Sequence, residues 1–226
     1  MGEYGVMPTI TAIETQQRDP ERVSIFLDGE FAFGSSAMVA AARGLTVGKT
    51  LSTEEIDDLK SADEVEKAFN AALNFLSFRP RSKREIGDYF RRRKLEPAVG
   101  TAVVERLERI GVLDDREFAR FWVENRQSFR PRGTRALKAE LRQKGIDSEI
   151  IDETLAGLGD EEETAFEAGM KKARSYSTAD EREFFRKMLG FLQRRGFPYG
   201  PAAAASRRIF QAMTAADPET DLSEVD

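Results

Sequence analysis

The 226-residue chain contains no cysteine and no histidine. This double absence excludes disulfides, thiolate nucleophiles, histidine general bases, zinc sites of the usual ligand types and Ser-His-Asp triads. Long apolar runs are also missing, and Met1 to Pro8 lacks both the basic end and the apolar stretch of a secretion signal, so a cytoplasmic location is expected. There is no glycine-rich phosphate loop, and Gly29 and Gly34 read as turn residues. No spacing singles out a catalytic pair of carboxylates. The one adjacent pair in a suggestive place, Asp114-Asp115, is explained more cheaply as a helix N-cap than as a metal site. The expectation is a protein that is not an enzyme and takes no cofactor or metal.

The net charge of −5 conceals a segregation. Residues 1–60 carry 5 basic and 10 acidic groups, and the last sixteen residues carry 5 acidic groups and no basic one. In between, residues 78–94 hold eight basic groups against Glu85 and Asp88, and residues 129–144 hold six against Glu140. Clustering of this kind suits a polyanion or an acidic protein surface. A solvated helix face accounts equally well for any single member.

The phrase Phe78-Arg79-Pro80-Arg81 recurs as Phe129-Arg130-Pro131-Arg132, an offset of 51 residues. The same offset carries Arg84 to Arg135, Ile86 to Leu137, Phe90 to Leu141, Leu95 to Ile146 and Leu107 to Leu158. Applied once more, it reaches Arg186, Met188, Leu192, Phe197 and Ile209. A period that preserves apolar character through three registers predicts three tandem repeats. Before them, Thr9–Ile13 and Val23–Leu27 alternate apolar with polar, and Asp28-Gly29 turns into Phe31–Phe33. These stretches predict a small antiparallel sheet, followed by a short helix capped by Ser35 or Ser36 and another begun at Ser52 to Glu55.

The predicted fold class is mainly α: three tandem three-helix repeats in an elongated array, preceded by a small antiparallel β-sheet (α+β) N-terminal domain. The expected divisions are residues 1–61, 62–113, 114–160 and 161–213, with an acidic disordered tail at 214–226. In the first repeat, helices are expected over Glu64–Phe78, Ser82–Lys94 and Pro97–Ile110, with Ile110 facing inward. Trp122 is expected to pack, and Phe78 and Phe129 to cover the core. The third repeat has Asp180-Glu181-Arg182-Glu183 where the others have Phe-Arg-Pro-Arg, so its basic loop is missing.

Residues at equal repeat positions form rows: Arg84, Arg135 and Arg186, and Arg93, Lys144 and Arg195. Two rows make a cationic track of roughly 50 to 70 Å if each three-helix unit advances by two helix diameters. Arg79, Arg81, Arg130 and Arg132 flank prolines that restrain the backbone, which reduces the entropy lost on gripping a carboxylate or phosphate. With Arg91, Arg92, Arg142 and Arg194 these complete the contact candidates: Arg79, Arg81, Arg84, Arg91, Arg92, Arg93, Arg130, Arg132, Arg135, Arg142, Lys144, Arg194 and Arg195.

The long phrase from Gly111 to Arg126, the Arg130-Pro131-Arg132-Gly133 turn and Leu141–Ile146 resemble the signature of the RecX regulatory proteins. Leu76–Leu95 and Phe191–Phe197 also fit, so the resemblance covers residues 63–210. The resemblance implies a non-enzymatic modulator of the RecA recombinase, and a monomer is expected. Such a protein lies in the groove of the filament on single-stranded DNA and inhibits its ATPase, strand-exchange and coprotease activities. Direct binding to single- or double-stranded DNA is a further implied property. The competing expectation is an autonomous DNA binder or transcriptional repressor built of tri-helical units.

Overall fold

The computed structural model describes residues 7–176 and 180–216. Residues 217–226, most of the segment expected to be a disordered tail, lie outside the described residues, and 214–216 close the last helix. The chain divides into two compact units at Arg79/Pro80, Glu85/Ile86 and Leu113/Asp114, so that Pro80–Glu85 groups with the later part of the chain.

In the first unit, β1 (Ile10–Gln16), β2 (Asp19–Leu27) and β3 (Glu30–Ser36) form an antiparallel meander in the order β1-β2-β3. Asp28 and Gly29 both have positive φ (51° and 90°), the geometry that a two-residue turn needs to match the strand twist. Ser36, rather than Ser35, caps α1 (Ala37–Ala42) by accepting from the Val39 N–H. Ile10, Val23, Ile25, Phe33, Ala40 and Leu51 close a small core with Leu59.

Leu59 belongs to α2 (Thr53–Leu76), a helix of 24 residues that starts with a full capping box between Ser52 and Glu55. The separate helix expected to begin at Glu64 is therefore a continuation. Ser61-Ala62-Asp63 contains no glycine or proline to break it, and Asp63 is tied into the sheet. Arg22 on β2 grips the Asp63 carboxylate with two N–H groups at 3.0 and 2.9 Å, the Ser36 backbone N–H donates at 2.8 Å, and Lys67 approaches at 2.8 Å. Burial by itself would raise the Asp63 pKa, but the hydrogen bonds from Arg22 and Lys67 and their charges outweigh it and hold the carboxyl below its ordinary value of 3.8.

A depressed folded pKa contributes stability that is present above the unfolded value and lost as pH falls through the folded one. Asp63→Asn is therefore expected to cost about 2 to 3 kcal/mol at neutral pH. It is also expected to flatten the loss of stability below pH 4, measured by urea unfolding across a pH series.

The first repeat is completed by α3 (Lys83–Arg92) and α4 (Pro97–Arg109). Ile86, Phe90, Val99, Val103 and Leu107 meet Ala68, Phe69 and Ala72 of α2. Ile110 follows the last helical turn as C-cap and is about half exposed, not inward as expected, because the backbone turns away at Gly111 (φ 71°).

The second unit contains α5 (Asp115–Phe129), α6 (Thr134–Gln143), α7 (Ser148–Ala156), α8 (Glu161–Ala173), a 3-10 turn at Arg174–Tyr176, α9 (Glu181–Arg194) and α10 (Tyr199–Ala216). Phe118, Ala119, Val123, Leu137, Leu141, Ile146 and Ile151 form one core, and Phe184, Met188, Leu192, Phe197 and Ile209 lead another with a row of alanines. Each large buried side chain contributes roughly 1.5 to 3 kcal/mol. Helices of 10 and 9 residues, such as α6 and α7, are too short to stand alone in water and depend on this packing.

Candidate partner-binding surface at the inter-repeat joints

In the second unit, the start of one repeat's middle helix docks on the turn that ends the next repeat's middle helix, and this happens twice. At the first joint, Ser82 caps α3 by accepting from the Glu85 N–H and donates its hydroxyl to the Lys144 carbonyl at 2.7 Å. At the second, 51 residues later, the Gly133 N–H donates to the Arg195 carbonyl at 3.1 Å and the Arg135 N–H to the Gly196 carbonyl at 3.2 Å. A carboxylate from the opening turn of the following repeat accepts from a first-turn helix N–H at each joint: Asp115 from Lys83 at 2.9 Å, and Glu161 from Thr134 at 2.7 Å. Of the acidic pair, Asp114 alone caps α5, while Asp115 serves the neighbouring repeat.

The charge at the two joints differs. Lys144 is half-buried and pairs with Glu85 at 2.7 Å, with its ammonium also over the Trp122 ring at 4.8 Å. The residues 51 further on are Arg195 and Ala136, so the cation remains and its anion is gone. Arg195 stacks on Phe191 at 5.0 Å and donates to the Pro131 carbonyl at 3.2 Å, which brings its guanidinium to the Arg-Pro-Arg loop. Burial lowers its pKa, and the neighbouring charges of Arg132 and Arg130 lower it further. Arg132 has a carboxylate oxygen of Glu140 at 3.7 Å, beyond hydrogen-bond reach, while the other oxygen of that group accepts from Trp122 at 2.8 Å and Arg126 at 2.7 Å.

Arg84, Arg135 and Arg186, the first row of the predicted track, are all exposed. The members of the second row have different surroundings. Arg93 is exposed and lies over Tyr89 at 4.4 Å, which stacks on Phe75, whereas Lys144 is neutralised and Arg195 sits against Phe191. Arg91 pairs with Asp88 on its own helix, and Arg92, Arg142 and Arg194 are exposed. Arg79 and Arg81 are half-buried in the first Phe-Arg-Pro-Arg copy, and Arg130 is exposed in the second.

The two phenylalanines of these phrases do not cover the core as expected: Phe78 is 77% and Phe129 76% exposed. Phe129 lies seven residues past Trp122, on the same helical face. The core of this repeat, however, ends with Trp122 and Val123. Trp122 does pack, stacked on Phe118. Sequence reading missed the exposed aromatics, and the signal for them was available: each stands at a helix end, beyond the last apolar residue in register.

Together these features define a tandem three-helix-repeat protein with basic, aromatic-bearing joints. Family models match along the chain in order. The regulatory protein RecX N-terminal domain covers residues 8–52, and the first, second and third RecX three-helix domains cover 68–107, 114–155 and 160–201. The chain is 38% identical over 208 residues to the regulatory protein RecX of Bacillus subtilis (strain 168), covering 90% of this chain and 78% of that protein. It is 32% identical over 210 residues to that of Listeria monocytogenes serovar 1/2a, covering 92% and 78%. A crystal structure of regulatory protein RecX matches with a TM-score of 0.75 at 25% identity, over 91% of this chain and 100% of that one. The chain belongs to the RecX family of regulatory proteins. Among the described residues, no helix is long and apolar enough to cross a membrane.

Proposed function

We propose that the protein binds the RecA recombinase filament on DNA and modulates, mainly by inhibiting, its ATPase, strand-exchange and coprotease activities. The observation that carries this reading is the set of exposed arginines held on rigid three-helix units and at their joints, in a chain of a regulatory family. A filament offers a periodic surface of subunit carboxylates and DNA phosphates, and repeated arginines at fixed spacing can engage such a surface without a pocket. The candidate contacts are the exposed members Arg84, Arg91, Arg92, Arg93, Arg130, Arg135, Arg142 and Arg194, with Arg79, Arg81, Arg132 and Arg195 from the Phe-Arg-Pro-Arg loops and the second joint. Lys144, already paired with Glu85, contributes to the fold of the joint.

The test is the ATPase rate of recombinase filaments on single-stranded DNA as the protein is titrated in, expected to fall in a salt-sensitive manner. Loss of activity at substoichiometric protein indicates blocked filament growth, and a need for near-saturating protein indicates coating of the filament. An ATPase rate that stays constant throughout the titration rejects the reading.

A further inference from the structure

We propose that a cleft of about 550 Å³ beside the outer edge of β3 binds a short extended segment of a partner protein, which adds a strand to the sheet through its backbone and places one carboxylate between Lys60 and Arg93. The site goes beyond the recombinase reading and does not rest on it, since every residue lining the cleft belongs to the first unit.

β3 is an edge strand, paired with β2 on one side only. The Ser36 N–H shows which of its residues face outward, because it turns away from β2 and donates to Asp63 on α2 at 2.8 Å. Pairing with β2 is regular from Phe33 to Ser36, and alternate residues of an antiparallel ladder point the same way, so the Gly34 N–H and C=O also face outward. Gly34 lines the cleft, and among the described residues no group hydrogen-bonds to that outward pair. An unpaired donor and acceptor on a strand edge are the template on which an extended peptide adds, and a glycine there lets a second backbone come close.

Opposite this edge, α2 lines the cleft from Lys60 to Ala71, a rise of roughly 16 Å, which is room for about five residues of extended chain. Ala71 and Leu95 give it an apolar floor. The rim carries Lys60, Lys67 and Arg93 against Asp63 and Glu64. Asp63 is 2% exposed and already paired with both Arg22 and Lys67. Lys60 and Arg93 are exposed, and among the described residues neither has an ion-pair partner; Arg93 lies over the Tyr89 ring at 4.4 Å. This small excess of positive charge suits a single carboxylate on the ligand. It does not suit a nucleic-acid strand, whose phosphates recur at every nucleotide and would meet Glu64, and whose backbone has no N–H and C=O pair to offer a strand edge.

The experiment selects peptides on the full chain from a display library of random pentapeptides flanked by glycine and serine. The enriched sequences are expected to alternate apolar with polar residues and to carry Asp or Glu at one fixed position. The most enriched peptide is then labelled with fluorescein and measured by anisotropy. Replacing its acidic residue with the corresponding amide is expected to weaken binding about tenfold. N-methylation scanned along its backbone is expected to weaken binding about three- to tenfold at alternate positions and to leave the positions between them unaffected. Lys60→Glu is expected to weaken the acidic peptide about tenfold or more and to strengthen a version in which lysine replaces the acidic residue. That exchange of preference separates a direct contact from a folding defect, which would weaken both peptides.

A library without enrichment, enriched sequences without an acidic position, equal sensitivity to N-methylation at neighbouring positions, or unchanged preference in Lys60→Glu overturns the proposal. If Lys60→Glu instead weakens binding of oligothymidylate and leaves the peptides unaffected, the cleft holds nucleic acid and the peptide site is rejected.

Discussion

Gly196→Ala is expected to destabilise the protein by about 3 to 5 kcal/mol, combining the cost of a left-handed backbone for a residue with a Cβ and that of overpacking a closed contact. Gly196 has φ 88°, and an added Cβ would overlap the Cβ and backbone N of Ala136, so neither the turn nor its partner helix has room to yield. The equivalent positions make the comparison internal. Gly145, with φ 78°, would place a Cβ 2.8 Å from the Cβ of Arg84, which is fixed to its helix backbone, so the same crowding recurs at the first joint in a milder form. The first repeat tolerates Lys94 in the same left-handed conformation (φ 56°), and that residue is exposed. Glycine is thus required for close approach as well as for handedness. Gly111→Ala, where φ is 71° and no atom lies near the added Cβ, is expected to cost only about 1 kcal/mol. Urea unfolding of the two variants separates the two contributions. Equal losses would show that the joint at Gly196 adds nothing beyond its backbone angle.

Reversing Arg130, Arg135 and Arg142 to glutamate is expected to raise the protein concentration needed to inhibit recombinase ATPase by about a hundredfold or more, because favourable contacts become like-charge contacts with an anionic filament. All three side chains are exposed, and an exposed charge adds little to stability, so the far-UV circular dichroism and melting profile are expected to stay near those of the unaltered chain. The contrasting control is Lys144→Glu, which places a second carboxylate beside Glu85 at the first joint and is expected to damage stability before it damages binding. A triple variant that folds and inhibits at the original concentration would remove these arginines from the contact surface. Raising salt should weaken the unaltered protein in the same direction as the substitutions.

How much of this was legible in the sequence differs from residue to residue. The caps at Ser52, Ser82 and Asp114 could be read directly, because a side-chain acceptor reaches N–H groups only two or three residues away. The continuity of α2 through Asp63 could not, since it depends on Arg22 of the sheet, 41 residues earlier. Phe129 reads as a cover for the core in the phrase where Pro131 stops the helix, and it keeps the helical phase of Trp122, yet phase says nothing about where the partner helices stop. Asp115 looked like half of a local cap, while its acceptor role belongs to Lys83 on another repeat.

The repeat class, the small sheet, the core stripes and the absence of cysteine and histidine chemistry are all written in the chain. Periodicity, capping and composition are local properties that the linear order of residues carries in full. Which cations are left exposed and which are paired depends on contacts made through the fold. Lys144 meets Glu85 across 59 residues, and Arg195 meets the Pro131 carbonyl across 64. A charge is neutralised or concentrated by whatever the fold brings within a few ångströms, and two positions equal in the repeat pattern, Lys144 and Arg195, consequently have opposite electrostatic surroundings.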